Sequence, residues 1–439
     1  VQVGRHPHLI SQTCDYTIHK HKGVQILSKR ISILLLLIVL QQCGWSADCL
    51  QWRGSDRNGT FHETGLMKSW PAEGPKLLWS TDSLGKGYSS PSIARGMVYV
   101  TGKVNKDEYL YAFDMQGQPK WKTLFGQAWK NSFPESRTTP TIDGDRVYVI
   151  SGMGQLVCLD ARSGAIKWSI HAVEKFKGDY SGWGISESPL IDGDLVYCTP
   201  GGADASIVAL NKMSGETVWT SKGLSELSSY CSPILVNYDG RHILITQLEN
   251  SAVAVDAKTG EVIWKDAYAD YQNKPKEINP NSPLYADGAI YLSSGYNNES
   301  TLIELSKDGK SFTRKWVDPV LDVHVGGVVL VDGYLYGSNW LNNREGKWVC
   351  LEWSTGKVLY EAEWQGKGSI ITNDGLLYCY EEKKGNVALV KADPAGFNVI
   401  SSFTMTKGSG PHWAHPVISN GRLYIRHGES MMVYDIKAR

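Results

Sequence analysis

Just ahead of a recurring Ser/Thr-Pro step, and of its worn counterparts later in the chain, the sequence places residues able to bind or react. They are Arg137, Trp183 and Glu187, then Asn281, His324, Lys367 and Trp413. Two carry positive charge and one negative; two present flat indole faces; the amide and imidazole exchange hydrogen bonds without formal charge. Cations of this kind hold an anionic group, the indoles can stack on a planar ligand, and the remainder can orient it. Tyr88, Ser89, Tyr230, Cys231, Asn279, His412 and His415 occupy neighbouring slots. His412 and His415 are close in sequence but not expected on a helix, so zinc ligation is not expected.

Residues this far apart can cooperate only if the fold returns them to one axis. A repeat supplies that return. Its turn glycines are Gly96, Gly144, Gly193, Gly240, Gly288, Gly333, Gly375 and Gly421, recurring roughly every 42 to 49 residues. Each copy holds four short apolar runs divided by turn signals. Asp-Gly between the first two runs marks a tight hairpin, and an Asp-x-x-Ser/Thr-Gly segment such as Asp256 to Gly260 turns the chain into the last run. Four antiparallel strands at this period make one blade of a propeller. The fold expected is therefore all-β, an eight-bladed propeller of four-stranded antiparallel blades. The eighth copy stops before its last strand, and the stretch around Trp79 has no blade before it, so this N-terminal strand should close the last blade and remove an open edge. Trp121, Trp168, Trp219 and Trp264 each end a last strand and should fill the wedges between blades. In this geometry the polar and aromatic ring lies on the face opposite the glycine turns.

Lys+Arg and Asp+Glu balance at 45 each, which leaves no basic footprint for nucleic acid. Lys29 and Arg30 precede an apolar run from Ile31 to Leu40, too short to span a bilayer but suited to the core of an export signal. The expected organisation is thus an N-terminal extension and signal over 1–47, a lead-in over 48–74 and the propeller over 75–439, with no membrane span in the mature chain. Val24 is a candidate true start, and Cys43 a candidate lipid anchor whose preceding Gln41 and Gln42 do not suit it. Export permits disulfides, but Cys158 and Cys350 share one repeat slot and Cys198 and Cys379 another, inside apolar strands, so they are expected as small core residues. Gly152 to Gly154 and Pro200 to Gly202 sit between strands with no helix following, so they are turns and not phosphate loops.

The stretch Ala254-Val255-Asp256-Ala257-Lys258-Thr259-Gly260-Glu261-Val262-Ile263-Trp264 resembles the tryptophan-docking repeat of the pyrroloquinoline quinone (PQQ) propellers, and the likeness extends from about Trp79 to Asp435. Two branches share these blades: the PQQ-dependent dehydrogenases, and PQQ-like propellers such as the BamB-type outer-membrane assembly proteins, which bind protein partners and carry no cofactor. The resemblance implies an exported, envelope-associated, non-catalytic scaffold with protein partners. Its first alternative is a PQQ-dependent alcohol or sugar dehydrogenase. On that branch Arg137 or Lys367 would bind the quinone's carboxylates, Trp183 or Trp413 would stack on it, Asn281 and Glu187 would supply oxygen ligands to calcium, and His324 would complete the cofactor pocket. Two marks of that branch fail: no adjacent Cys-Cys pair exists, and no catalytic Asp is placed, Asp322 being only the nearest candidate. A second alternative is a carbohydrate-binding propeller using the axial tryptophans. Gln51-Trp52-Arg53-Gly54 resembles the lead-in of PQQ-like propellers and is read as a sub-family mark.

Overall fold

A strand flanked by a sheet on each side must be apolar on both faces, and runs such as Val147 to Ile150 or Leu156 to Leu159 are buried throughout. The computed structural model describes residues 48–273 and 277–439; the proposed export signal, the alternative start at Val24 and Cys43 lie outside them. The described residues form eight sheets in chain order, each a blade of four antiparallel strands, the seventh extended by a fifth, parallel strand. The first comprises Ser92–Ala94, Met97–Val104, Asp107–Asp114 and Pro119–Gln127. The eighth comprises Val417–Ser419, Arg422–His427, Ser430–Asp435 and, from the other end of the chain, Lys76–Thr81. Leu77 pairs with Tyr434 and Trp79 with Val433, so the ring closes as the repeat count predicts. Among the described residues no helix is long and apolar enough to cross a membrane.

The inner hairpins follow their glycines. At Arg95-Gly96, Asp239-Gly240, Asp287-Gly288, Asp332-Gly333, Asp374-Gly375 and Asn420-Gly421 both residues have positive φ, the two-residue turn whose twist matches that of its strands. In the outer turns a carboxylate or amide replaces missing backbone partners: Asp256 Oδ1 accepts from the Lys258 and Thr259 amides at 2.9 and 3.0 Å, and Asp160 does the same for Arg162 and Ser163.

Every outermost strand carries a bulge just before its tryptophan slot. Trp168 pairs with Cys158 while Ile166 pairs with Leu159, and Trp264 with Ala254 while Val262 pairs with Val255. The extra residue turns the ring out of its own sheet onto the outer turn of the next blade. Trp79, Trp168, Trp219 and Trp316 each donate their indole N–H there, to Met115, Lys212, Ala257 and Trp353 carbonyls at 2.9–3.0 Å. The six cysteines among the described residues are free and buried, as the shared repeat slots suggest.

The lead-in has a place that its sequence does not announce: it fills the propeller axis. Cys49 bridges Ile93 in the first blade, and the Ile142 amide of the second donates to the Leu50 carbonyl at 2.8 Å. Thr60–Phe61 leaves as a parallel strand beside Gly368–Asn373 of the seventh blade. Between these points two arginines, 5% and 2% exposed, spread into the interior. Arg57 donates to the Ser188, Pro189 and Pro233 carbonyls at 3.1, 2.5 and 2.9 Å. Arg53 reaches the Val328 and Ile370 carbonyls at 2.5 and 3.2 Å and His415 Nδ1 at 2.7 Å. Trp52 donates to Ser282 Oγ at 3.2 Å. Every blade is thereby touched at or just ahead of its inner strand. Burial lowers both guanidiniums to about 9, and they are tolerated because their donors are matched by oxygens.

A funnel above the axial plug

The links that bring the chain from each blade to the next inner strand converge on the face opposite the glycine turns. They enclose a cavity of about 430 Å³. Beneath it lies a narrower chamber of about 110 Å³ with Trp52 of the plug in its lining. Tyr88, Arg137, Ser186, Tyr230, Pro280, Val325 and Trp413 border both spaces, so the two form one funnel with a floor supplied by the lead-in.

Five of the seven sequence-predicted residues line it: Arg137, Trp183, His324, Lys367 and Trp413. Its aromatic groups form three clusters. Trp413 lies 4.9 Å from Tyr88 and 5.3 Å from Phe133, which is 48% exposed at the mouth. Trp183 lies 5.8 Å from Tyr230, whose hydroxyl accepts the Trp183 amide at 3.2 Å. Tyr296 contacts His324 at 4.6 Å and Trp340 at 4.8 Å. Between the clusters, Lys367 is paired with Glu382, both buried. Arg137 has no ion-pair partner among the described residues; it donates Nη2 to the Phe133 carbonyl at 3.0 Å and Nε to the Glu135 carbonyl at 3.4 Å. Burial, with the Lys367 charge, holds His324 down at about 3, so its imidazole is neutral.

Glu187 and Asn281 are not brought together as a cation site. Glu187 is fully buried behind the wall, where its two oxygens meet the Thr199 amide and hydroxyl at 2.7 Å each. Asn281 spends its amide on the Val323 and Ser293 carbonyls, and its oxygen accepts the Gly327 amide at 3.2 Å. Both are committed to stitching neighbouring links, so this donor set does not fit calcium. Asp322 is likewise occupied, by the Asn297 and Trp340 amides at 2.7 and 3.2 Å. His412 packs between Tyr380 and His427, and His415 holds Arg53. Cys231 is a buried thiol pushed up to about 12. Phe133, Tyr296 and Glu382 escaped the sequence reading because they sit in blade links and strand-two-to-three loops that do not repeat.

Burial raises the Glu187 carboxyl to about 7, against the pull of Thr199 and Arg57. For a carboxyl raised in the fold, the associated stability is complete below about 4.5 and is lost as pH rises through about 7. Glu187→Gln keeps an acceptor for the Thr199 amide and a donor for its hydroxyl. The variant should therefore lose less stability between pH 5 and pH 8 than the parent, as read from urea midpoints. Asp322, also raised to about 7, retains part of the slope, but parallel curves for the two proteins would contradict the assignment.

A family described as outer membrane protein assembly factor BamB matches residues 106–344, more than half of the chain. The outer membrane protein assembly factor BamB of Yersinia pestis is 23% identical over 318 residues, covering 66% of this chain and 72% of the relative. Among solved structures, BamB from Moraxella catarrhalis superposes with a TM-score of 0.59 at 18% identity, covering 83% of this chain and 98% of that one. The quinohemoprotein alcohol dehydrogenase of Comamonas testosteroni superposes at 0.63 with 13% identity, over 90% of this chain and 81% of that one. At such identities the superpositions speak for the fold alone, whereas the family match, together with the docking tryptophans and the closed eight-blade ring, shows that the chain belongs to the PQQ-like repeat β-propellers of the BamB family.

Proposed function

We propose that this protein is a cofactor-free binding propeller of the cell envelope, an interaction scaffold whose recognition surface is the aromatic funnel. The observation that carries this is the axis itself. The chain's own lead-in fills it up to the floor of the funnel, and the two oxygen ligands that a calcium-quinone site would draw on are spent on backbone groups. The kinship to a protein described as an outer membrane protein assembly factor supports the envelope setting and protein partners. The exposed ring of Phe133 at the mouth, tilted against Trp413, suits contact with a partner, since aromatic anchors dominate interface energetics.

The test has two arms. The protein is incubated with PQQ and calcium, desalted, and its absorption spectrum and dye-linked alcohol oxidation recorded; no quinone is retained and no dye reduced. Immobilised protein captures an envelope protein that Phe133→Ala with Trp413→Ala captures weakly. Stoichiometric retained quinone with turnover would overturn the proposal, as would capture indifferent to the double substitution.

A further inference from the structure

We infer that the ligand of the funnel is an acidic saccharide, a short run of sugar rings bearing carboxylates, one of which Arg137 binds. The inference rests on the reading that the funnel is the recognition surface, and it names the chemistry recognised there.

Three features lead to it. The first is charge. Arg137 stands where wide mouth meets narrow chamber and borders both. Two of its nitrogens are tied to the carbonyls of Phe133 and Glu135, which fixes the plane of the guanidinium; among the described residues Nη1 has no hydrogen bond and is left to a ligand. Lys367 is neutralised by Glu382 and His324 carries no charge; the Glu108 and Glu135 carboxylates act on Arg137 through space, but neither forms an ion pair with it, so among the described residues Arg137 is the funnel's cation open to an ionic contact. A planar, oriented guanidinium is the group that best receives a carboxylate. The second is lining. The aromatic clusters are separated around the mouth, and the aliphatic lining is confined to Ile278, Pro280 and Val325. A hydrocarbon ligand would call for an aliphatic wall. Separate indole and phenol faces suit successive rings that are apolar on their C–H faces and polar at their edges. The third is the polar complement. Ser186, Ser188 and Ser232 line the lower chamber, and the Lys367–Glu382 pair presents a donor beside an acceptor, the combination that grips neighbouring hydroxyls. A peptide ending in a free carboxylate would share the charge but is usually held by a nest of backbone N–H groups, whereas the cation offered here is a side chain, the Arg137 guanidinium.

The experiment titrates the full chain with oligomers of galacturonate, mannuronate and glucuronate, following tryptophan fluorescence and heat. The methyl ester of each oligomer is the control: the same rings without the charge. At least one uronate oligomer quenches saturably, and its ester binds about tenfold more weakly, the effect expected from losing one charge-assisted hydrogen-bonded contact. Arg137→Gln abolishes the difference between acid and ester. Because Arg137 also braces its own link, Trp183→Ala serves as a second variant; it weakens acid and ester alike. Equal binding of acid and ester by the parent would overturn the inference. So would saturation by a carboxylate-ended peptide and by no uronate. Should every sugar fail while Phe133→Ala with Trp413→Ala still abolishes partner capture, the scaffold reading stands and the saccharide falls. Retained quinone would sink the scaffold reading independently.

Discussion

Replacing Arg57 with alanine lowers the stability of the fold by about 3 kcal/mol, at the low end of what three buried acceptors stripped of their donor would cost together. The side chain lies on the axis and is 2% exposed. Its fork reaches carbonyls from two blades, with Thr141 Oγ1 of a third at 3.5 Å and Gln51 Oε1 of the plug at 3.0 Å. Part of the loss is offset, since a buried guanidinium is itself costly to desolvate, and part of the remaining space can take up water; hence the low end of the range. Arg57→Lys separates charge from geometry. It retains a cation, but a single ammonium on a shorter arm cannot serve the same divergent acceptors, so it should restore less than half of the loss. Urea midpoints for parent, Ala and Lys forms decide the matter. If the alanine variant unfolds with the parent, the lead-in merely lies in the channel and does not hold the blades. If lysine restores everything, charge alone is what the axis requires.

The parts of this molecule that repeat were legible, and the parts that occur once were not. Glycine spacing and the tryptophan slot gave the blade count, the strand order and the closure at Trp79, because each feature is dictated by a local rule used eight times. Five ring residues could be placed at the funnel for the same reason: a residue one step ahead of an inner strand has little choice of direction. Glu187 and Asn281 satisfied that rule and still do not reach the cavity, since position ahead of a strand does not say whether a side chain points to the axis or back into the link. Their hydrogen bonds to Thr199, Val323 and Gly327 are contacts between blades that no single repeat encodes. The plug was illegible for a deeper reason. Arg53 and Arg57 lie in a segment with no periodicity, where an arginine ordinarily belongs to solvent. Only the ring of inward carbonyls, itself a product of the fold, makes burial tolerable. The one available signal was a pair of arginines four apart among glycines, Gly54 and Gly59, each at positive φ.

Between the third and fourth blades, Trp219→Ala should cost about 4 kcal/mol, the range for removing a buried large aromatic, and the more informative result is its coupling to Gly260. The Trp219 ring lies on that glycine: a Cβ added there would come within 2.3 Å of ring carbon Cε3, and the residue's φ is +76°. Gly260→Ala therefore suffers twice, from a left-handed backbone at roughly 1 kcal/mol and from a ring that must move, at about 2 kcal/mol. In the Trp219→Ala background the second penalty has no source, so the same substitution should cost only about 1 kcal/mol there, and the double-mutant cycle should show about 2 kcal/mol of interaction. Additive losses would mean that the ring is not pressed against the turn and that blade contact is carried elsewhere. The outcome bears on four further joints, because Trp79 over Gly117, Trp121 over Gly164, Trp168 over Gly215 and Trp316 over Gly356 repeat the same stack. Trp264 departs from it, resting edge-on to Phe312 at 5.2 Å with its indole N–H buried and without a hydrogen-bond partner. The joint between the fourth and fifth blades lacks the lock, so Trp264→Phe should cost less than Trp219→Phe, a difference that packing area alone would not predict for two tryptophans of almost equal burial.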